Sequence, residues 1–261
     1  MFLFDTPLQL NITNDKADDL LCFMTFNVKG FGSTNRYRNL KTSKKILEFT
    51  KGINPDIICF QEFSRFEFKS FAYYPHKFVG YRQGFEKTLQ VIYSKNPIIN
   101  KGYIDFPDTR NQCIYADIKI KDNVIRVYNI HLQSYMLRVN RSNLTYKGSK
   151  RISNKINIAQ NKQEEQVKIV LDHASKFDGT IVFSGDFNST QYSKIYKQLK
   201  YNKQDSFIEA GFGFGATYPL FNYPFRIDYV LTGDNIKILS HQNFDLKLSD
   251  HEPVLVKMKL N

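Results

Sequence analysis

The sequence predicts one α+β domain with more strand than helix. Three observations carry that prediction. Short apolar runs rich in Ile, Val, Phe and Tyr recur from end to end of the 261-residue chain, only two segments have helical spacing, and no low-complexity linker or internal repeat divides it. In order, the strand-like runs are "LLCFMTFNV", "DIICFQEF", "TLQVIYS", "CIYADIKI", "VIRVYNIHL", "TIVFSGDF", "RIDYVLT", "IKILSH" and "PVLVKMKL". The first helix is expected over "YRNLKTSKKILEFTKG", with Gly52 suited to its C-cap. The second is expected over "KRISNKINIAQNKQEEQVKIVLDHASK", where Ile152, Ile156, Ala159, Val167, Val170, Leu171 and Ala174 share one face. Strong patterning begins near Leu20, so residues 1–19 read as an N-terminal extension and 20–261 as the domain.

Composition supports a globular chain, since 42% of residues are hydrophobic and 23 Phe and 16 Tyr are available for a core. No stretch approaches the ~20 continuous apolar residues of a membrane span. The opening "MFLFDTPLQLNITNDK" places an acid and a proline where a signal peptide needs its apolar centre. The chain as given therefore reads as soluble, with its compartment open and with room for a leader or anchor ahead of it. Cys22, Cys59 and Cys113 each lie in an apolar run without CxxC spacing, which predicts buried free thiols. The formal charge is +12, and a surplus of this size favours polyanions, nucleic acid or an anionic membrane surface. From Asn123 to Gln163 there is no acid, but Arg126, Arg138, Arg141, Lys147, Lys150, Arg151, Lys155 and Lys162 are present.

The strand ends carry the chemistry. "IVFSGDFNST" closes an apolar run with Asp186 and Asn188, which strands disfavour. Gly, Asp and Asn are ordinary turn residues, so one such end is a turn. The same oddity recurs at Asn27 in "MTFNVKG", Glu62 in "CFQEF", His131 in "YNIHLQS", Asp228 in "RIDYVL" and Asp250-His251 in "LSDHEPV". Together they supply the carboxylates, amides and imidazoles that hold a hard divalent cation and activate water against a phosphate. Asp186 and Asn188 are expected where solvent and substrate reach them.

In order, "FNV", "QE", "NIHL", "GDFN", "RIDY" and "SDH" resemble the endonuclease/exonuclease/phosphatase superfamily from Asn27 to His251. The resemblance implies a four-layered sandwich, two packed mixed β-sheets flanked by helices, with the site at one end of the sheets. It further implies Glu62 as the principal ligand of Mg²⁺, or of Mn²⁺ as a substitute, with Asn27 and Asp250 on the ion directly or through water. Asp186 looks like the group that orients or deprotonates the attacking water, and Asn188 and His131 like phosphate contacts. His251, held by Asp228, completes the set. Family members differ on whether the Asp186 or the His251 counterpart is the base.

Departures narrow the reading. Lys29 stands where the abasic-endonuclease branch carries an acid, and no tryptophan is present. Glu86 in "FEKTLQ" is a candidate partner for His131, as in the pancreatic-type nucleases. The pattern looks closest to uncharacterised bacterial members. The leading expectation is a Mg²⁺-dependent nuclease acting on DNA or RNA as a monomer, with no protein partner. Arg110, Arg138, Arg141 and Lys147 are expected to contact substrate, the last three on a basic wall after His131. Alternatives are a phospholipid, sphingomyelin or inositol-phosphate phosphodiesterase drawn to anionic phospholipid, and a non-catalytic binding module on the same fold.

Overall fold

The computed structural model describes residues 9–10, 20–33, 37–80, 88–135, 146–220 and 223–261, excepting the side chains of 9–10, 146–149 and 220. The chain runs through β1 (Gln9–Leu10), β2 (Leu21–Asn27), α1 (Leu40–Ile53), β3 (Ile57–Gln61), β4 (His76–Val79), β5 (Val91–Ser94), β6 (Ile98–Asp105), β7 (Gln112–Ile120) and β8 (Asn123–His131). It continues with α2 (Tyr146–Ala174), β9 (Thr180–Asp186), α3 (Lys194–Lys200), β10 (Gln204–Asp205) and α4 (Ser206–Ala210). The last elements are β11 (Phe212–Gly213), β12 (Tyr218–Leu220), β13 (Tyr223–Phe225), β14 (Asp228–Thr232), β15 (Ile236–Asn243) and β16 (Val254–Leu260).

Two six-stranded mixed sheets result, ordered β15-β16-β2-β3-β5-β4 and β10-β14-β9-β8-β7-β6. Each has one parallel pair at its centre, β2 with β3 and β8 with β9, and every other pairing is antiparallel. A parallel pair needs a crossover, and the two crossovers contain α1 and α2. This is the expected α+β sandwich.

Residue alternation builds the layers. Phe23, Ile57, Cys59, Ile125, Val127 and Val182 point between the sheets, whereas Met24, Phe26, Ile58 and Phe60 pack outward with Ile46 of α1. On the other outer face Tyr128, Ile130 and Phe183 pack with Val167 and Val170 of α2 and with Ile195 of α3. Strands covered on both faces read as continuous apolar runs, which is why the central strands were legible. The inward row turns polar towards the carboxyl ends, at Thr25, Gln61, Asn129 and Ser184, all fully buried. These groups bond to one another across the sandwich: Gln61 Nε2 donates to Asn129 Oδ1 at 2.7 Å, and Asn129 Nδ2 donates to the carbonyls of Phe60 and Val91 at 2.9 and 3.2 Å.

Three expectations change. Gly52 lies inside α1, and the cap is Asn54, whose left-handed backbone (φ 52°) lets its N–H reach the Thr50 carbonyl. Arg126 is no surface cation: its guanidinium forms a bidentate pair with Asp117 at 2.6 and 2.7 Å between the rings of Tyr115 and Phe177. Two residues of the 1–19 stretch, Gln9–Leu10, form β1 and pair with β11. Cys59 and Cys113 are buried, Cys22 is half-buried, and all three are free. Burial pushes the Cys22 thiol up to about 11 and the Cys59 thiol to about 12, which suits packing rather than nucleophilic chemistry. Among the described residues no helix is long and apolar enough to cross a membrane.

Gly185 shows how tightly the sheet constrains the site. Its φ is 125°, a conformation closed to L side chains, and a Cβ there would run into the Ile130 carbonyl oxygen on β8. Gly185→Ala should therefore cost about 2–4 kcal/mol in urea unfolding. A variant as stable as the wild type would show that β8 and β9 are not locked here.

Candidate active site

The carboxyl ends of the two parallel pairs lie at the same end of the sandwich. Asn27 ends β2, Glu62 follows β3, His131 ends β8 and Asp186 ends β9. The register places His131 opposite Asp186, and Asp186 opposite Asp228 on the neighbouring antiparallel strand. Asp250 and His251 enter from the segment that leads into β16. Glu62 and Asn188 have φ of 49° and 48°, an uncommon conformation for residues with a Cβ, so the backbone turns sharply at both.

Asp186 sits at the centre, only 1% exposed. The expectation that solvent reaches it fails: its carboxylate reaches the cavity floor, but the strand ends cover nearly all of it. Oδ1 accepts the Asn188 N–H at 2.8 Å, and Oδ2 accepts from Asn27 Nδ2 at 3.0 Å and Asn188 Nδ2 at 3.2 Å. The Nε2 atoms of His131 and His251 each lie 3.6 Å from the same Oδ2. Asn27 also donates to Glu62 Oε1 at 3.3 Å within its own sheet, while its bond to Asp186 ties the two sheets together across the site.

His251 is oriented by Asp228, whose Oδ2 lies 2.8 Å from Nδ1, and the Tyr218 ring packs on it at 4.8 Å. Burial works against protonation of this imidazole, but the Asp228 and Asp186 carboxylates prevail and raise it to about 10. Burial raises Asp186 to about 6, in spite of the neighbouring imidazoles. His131 Nδ1 is buried with no partner among the described residues, and Glu86 lies outside them.

Asp186, Asp228 and His251 have donor atoms within 4.8 Å of one another. Their pairing argues against a cation among them, because His251 Nδ1 is engaged by Asp228 and its Nε2 faces Asp186. Glu62 fits a hard divalent ion better, being a carboxylate with a side chain 37% exposed at the cavity, whose Oε1 accepts from the Asn27 amide and lies 3.8 Å from His131 Nε2. Asp250 also faces the cavity, but its Oδ2 pairs with Lys29 Nζ at 2.5 Å. The Asn27 Oδ1 accepts the Lys29 N–H at 3.1 Å. Glu62, Asp186, Asp228 and Asp250 together outweigh Lys29 and the protonated His251, an excess of negative charge that suits a dication.

The cavity over these groups holds about 500 Å³. Its far wall was missed in the sequence: Tyr135, Ile156 and Gln160 of α2, Tyr192, Tyr218 and Phe225. Isolated tyrosines carry no pattern in a sequence. Among the described residues, no Lys or Arg lines this cavity. Arg110 is exposed and stands away from the lining. Arg138, Arg141 and the Lys147 side chain lie outside the described residues. Lys155 and Lys162 line an adjoining trough that shares Ser134 and Tyr135 with the cavity.

A profile of the Endonuclease/Exonuclease/phosphatase family matches residues 24–251. Solved structures share the fold at low identity. An endonuclease/exonuclease/phosphatase from Beutenbergia cavernae is 16% identical, with a TM-score of 0.70 over 94% of this chain and 72% of that one. A functionally unknown conserved protein from Enterococcus faecalis is 14% identical, with a TM-score of 0.71 over 92% and 100%. D. rerio TDP2, in complex with a single-strand DNA product, is 15% identical, with a TM-score of 0.67 over 93% and 100%. No curated protein sequence matches.

The burial of Asp186 has a measurable consequence. A carboxyl raised on folding contributes stability that is complete below its unfolded value near 3.8 and is lost as pH rises through about 6. Without divalent ions, Asp186→Asn should melt a few degrees above the wild type at pH 8, and the gap should close below pH 4. A variant that melts lower at pH 8 would mean that the ionised carboxylate is a net stabiliser.

Proposed function

Because the chain belongs to the endonuclease/exonuclease/phosphatase family of phosphoric ester hydrolases, we propose that it is a divalent-cation-dependent phosphodiesterase acting on nucleic acid, with residues 20–261 as the catalytic unit. One observation carries the reading: Glu62, His131, Asp186, Asn188, Asp250 and His251 come from separate segments of the chain and line one cavity. The D. rerio neighbour bound to single-strand DNA supports nucleic acid as the substrate.

Glu62 would hold Mg²⁺, or Mn²⁺ in its place, with Asp250 and Asn27 beside it directly or through water. When bound, the ion supplies positive charge to a phosphate oxygen and offsets the acidic floor. Asp186 takes the proton of the attacking water, the water oxygen bonds to phosphorus, and the ester P–O bond opposite breaks, its oxygen leaving with the electron pair of that bond and taking a proton from solvent. Asp186 serves as the base in this reading, supported by the Asp228 carboxylate at 2.8 Å, which favours the protonated form of His251. His251 and His131 present N–H groups to the oxygens that gain charge in the transition state. Asn188 holds Asp186 in its rotamer, and because its Nδ2 already donates to Asp186 Oδ2 and to the Leu132 carbonyl at 3.0 Å, the expected contact with a non-bridging oxygen requires it to exchange one of those bonds.

A second reading, a phospholipid phosphodiesterase, draws support from Tyr223, 69% exposed on the strand whose Phe225 lines the cavity. The two separate when plasmid DNA, RNA, sphingomyelin vesicles and inositol phosphates are each incubated with the protein in Mg²⁺ and in EDTA. Nucleic acid should be cleaved in Mg²⁺ alone, and Glu62→Gln should lower turnover by roughly 10³-fold without unfolding the chain. Full activity in EDTA would overturn the cation assignment, and cleavage confined to vesicles would transfer the substrate to lipid.

A further inference from the structure

The cavity floor repels a polyanion, so nucleic acid has to be held from elsewhere. Tyr192, on the cavity wall, also lines a shallow trough on its other side with Lys194, Lys197, Gln198 and Tyr201 of α3 and its end. That trough runs on into another lined by Lys197, Lys200 and Tyr201. Among the described residues no acid lines either trough, and the acid paired with these lysines is Glu164, 2.9 Å from Lys194. Tyr192 and Tyr201 are 53% and 74% exposed. A solvated helix face needs lysines but has no use for two aromatic rings exposed to this degree. Rings set among lysines along about 10 Å of helix, continuous with a catalytic cavity, suit a strand whose bases have free faces.

We propose that α3 and its flanking tyrosines form a binding track for single-stranded nucleic acid, with bases stacking on Tyr192 and Tyr201 and phosphates meeting Lys197 and Lys200. The track deepens the phosphodiesterase reading and rests on it for the identity of the polymer. A duplex offers the lysines its phosphates but keeps its bases stacked, so the tyrosines select the single strand. α3 thus supplies cations on the side of Tyr192, independently of the basic wall expected after His131.

The test is anisotropy of fluorescein-labelled dT12 and of a matching duplex, in EDTA to prevent cleavage, across a salt series. The wild type is compared with Lys197→Gln/Lys200→Gln and with Tyr201→Ala, all checked by thermal melting. The double variant should bind dT12 at least tenfold more weakly, and its log–log salt slope should flatten by about 1.4. Tyr201→Ala should weaken dT12 roughly tenfold at an unchanged slope and leave duplex binding alone. Unaltered affinity and slope would reduce α3 to a solvated face, and equal loss on the duplex would remove the single-strand preference. Vesicles of anionic phospholipid losing affinity in place of dT12 would also overturn the track. Hydrolysis of bis(p-nitrophenyl) phosphate with Mg²⁺ should be equal in all three proteins, since these residues lie outside the metal-centred set. A wild type inert on that ester would sink the phosphodiesterase reading while the binding result still judged the track.

Discussion

The buried carboxylate of Asp186 is the constraint around which this end of the molecule is organised. A carboxylate 1% exposed has lost nearly all its water, and its charge is tolerable only if donors replace that water. The donors are Asn27 from the other sheet and Asn188 from the turn that follows, and the imidazoles of His131 and His251 face the carboxylate at 3.6 Å without hydrogen-bonding to it. Each must arrive at the right height, and that requirement fixes the register of β2, β8 and β14 against β9. Gly185 is the local expression of it, because only a residue without a Cβ lets β9 pass so close to Ile130.

The same demand explains why the space between the sheets is not apolar throughout. Leu, Ile and Val contacts allow two sheets to slide, whereas a buried amide bonded to carbonyls of the opposite sheet does not. Asn129 ties β8 to β3 and β5 at one level, and the next inward position on β8 is His131. On the flank, the buried Arg226–Asp205 pair anchors the approach to Asp228, with Arg226 Nη1 at 2.7 Å from Asp205 Oδ2. Buried polar bonds of this kind add little net stability, but they specify one arrangement.

The cluster at the strand ends was legible because its polar residues break the local rules of a strand. An apolar run that ends in Asp, Asn or His is conspicuous, and several in one chain point to one place if the strands are neighbours. The central strands were legible for the same reason, since both faces are covered. What escaped were elements whose sequence carries no such conflict. β6, "IINKGYID", lies at a sheet edge with a half-exposed polar pattern, and α3 is too short to develop a helical period. The burial of Asp186 was invisible because exposure at a strand end depends on which loops close over it. Arg126 misled as one of a run of cations, because its partner Asp117 lies on β7, outside the acid-free stretch. Counting charge along the chain cannot show which of its members the fold turns inward.

The central claim is that these groups direct a water oxygen onto phosphorus. Hydrolysis of bis(p-nitrophenyl) phosphate in ¹⁸O-labelled water with Mg²⁺, followed by mass spectrometry of both products, tests it directly. The account predicts one ¹⁸O in the p-nitrophenyl phosphate and none in the p-nitrophenol, with the signal lost in Asp186→Asn. Label in the phenol, or unchanged incorporation by that variant, would contradict it.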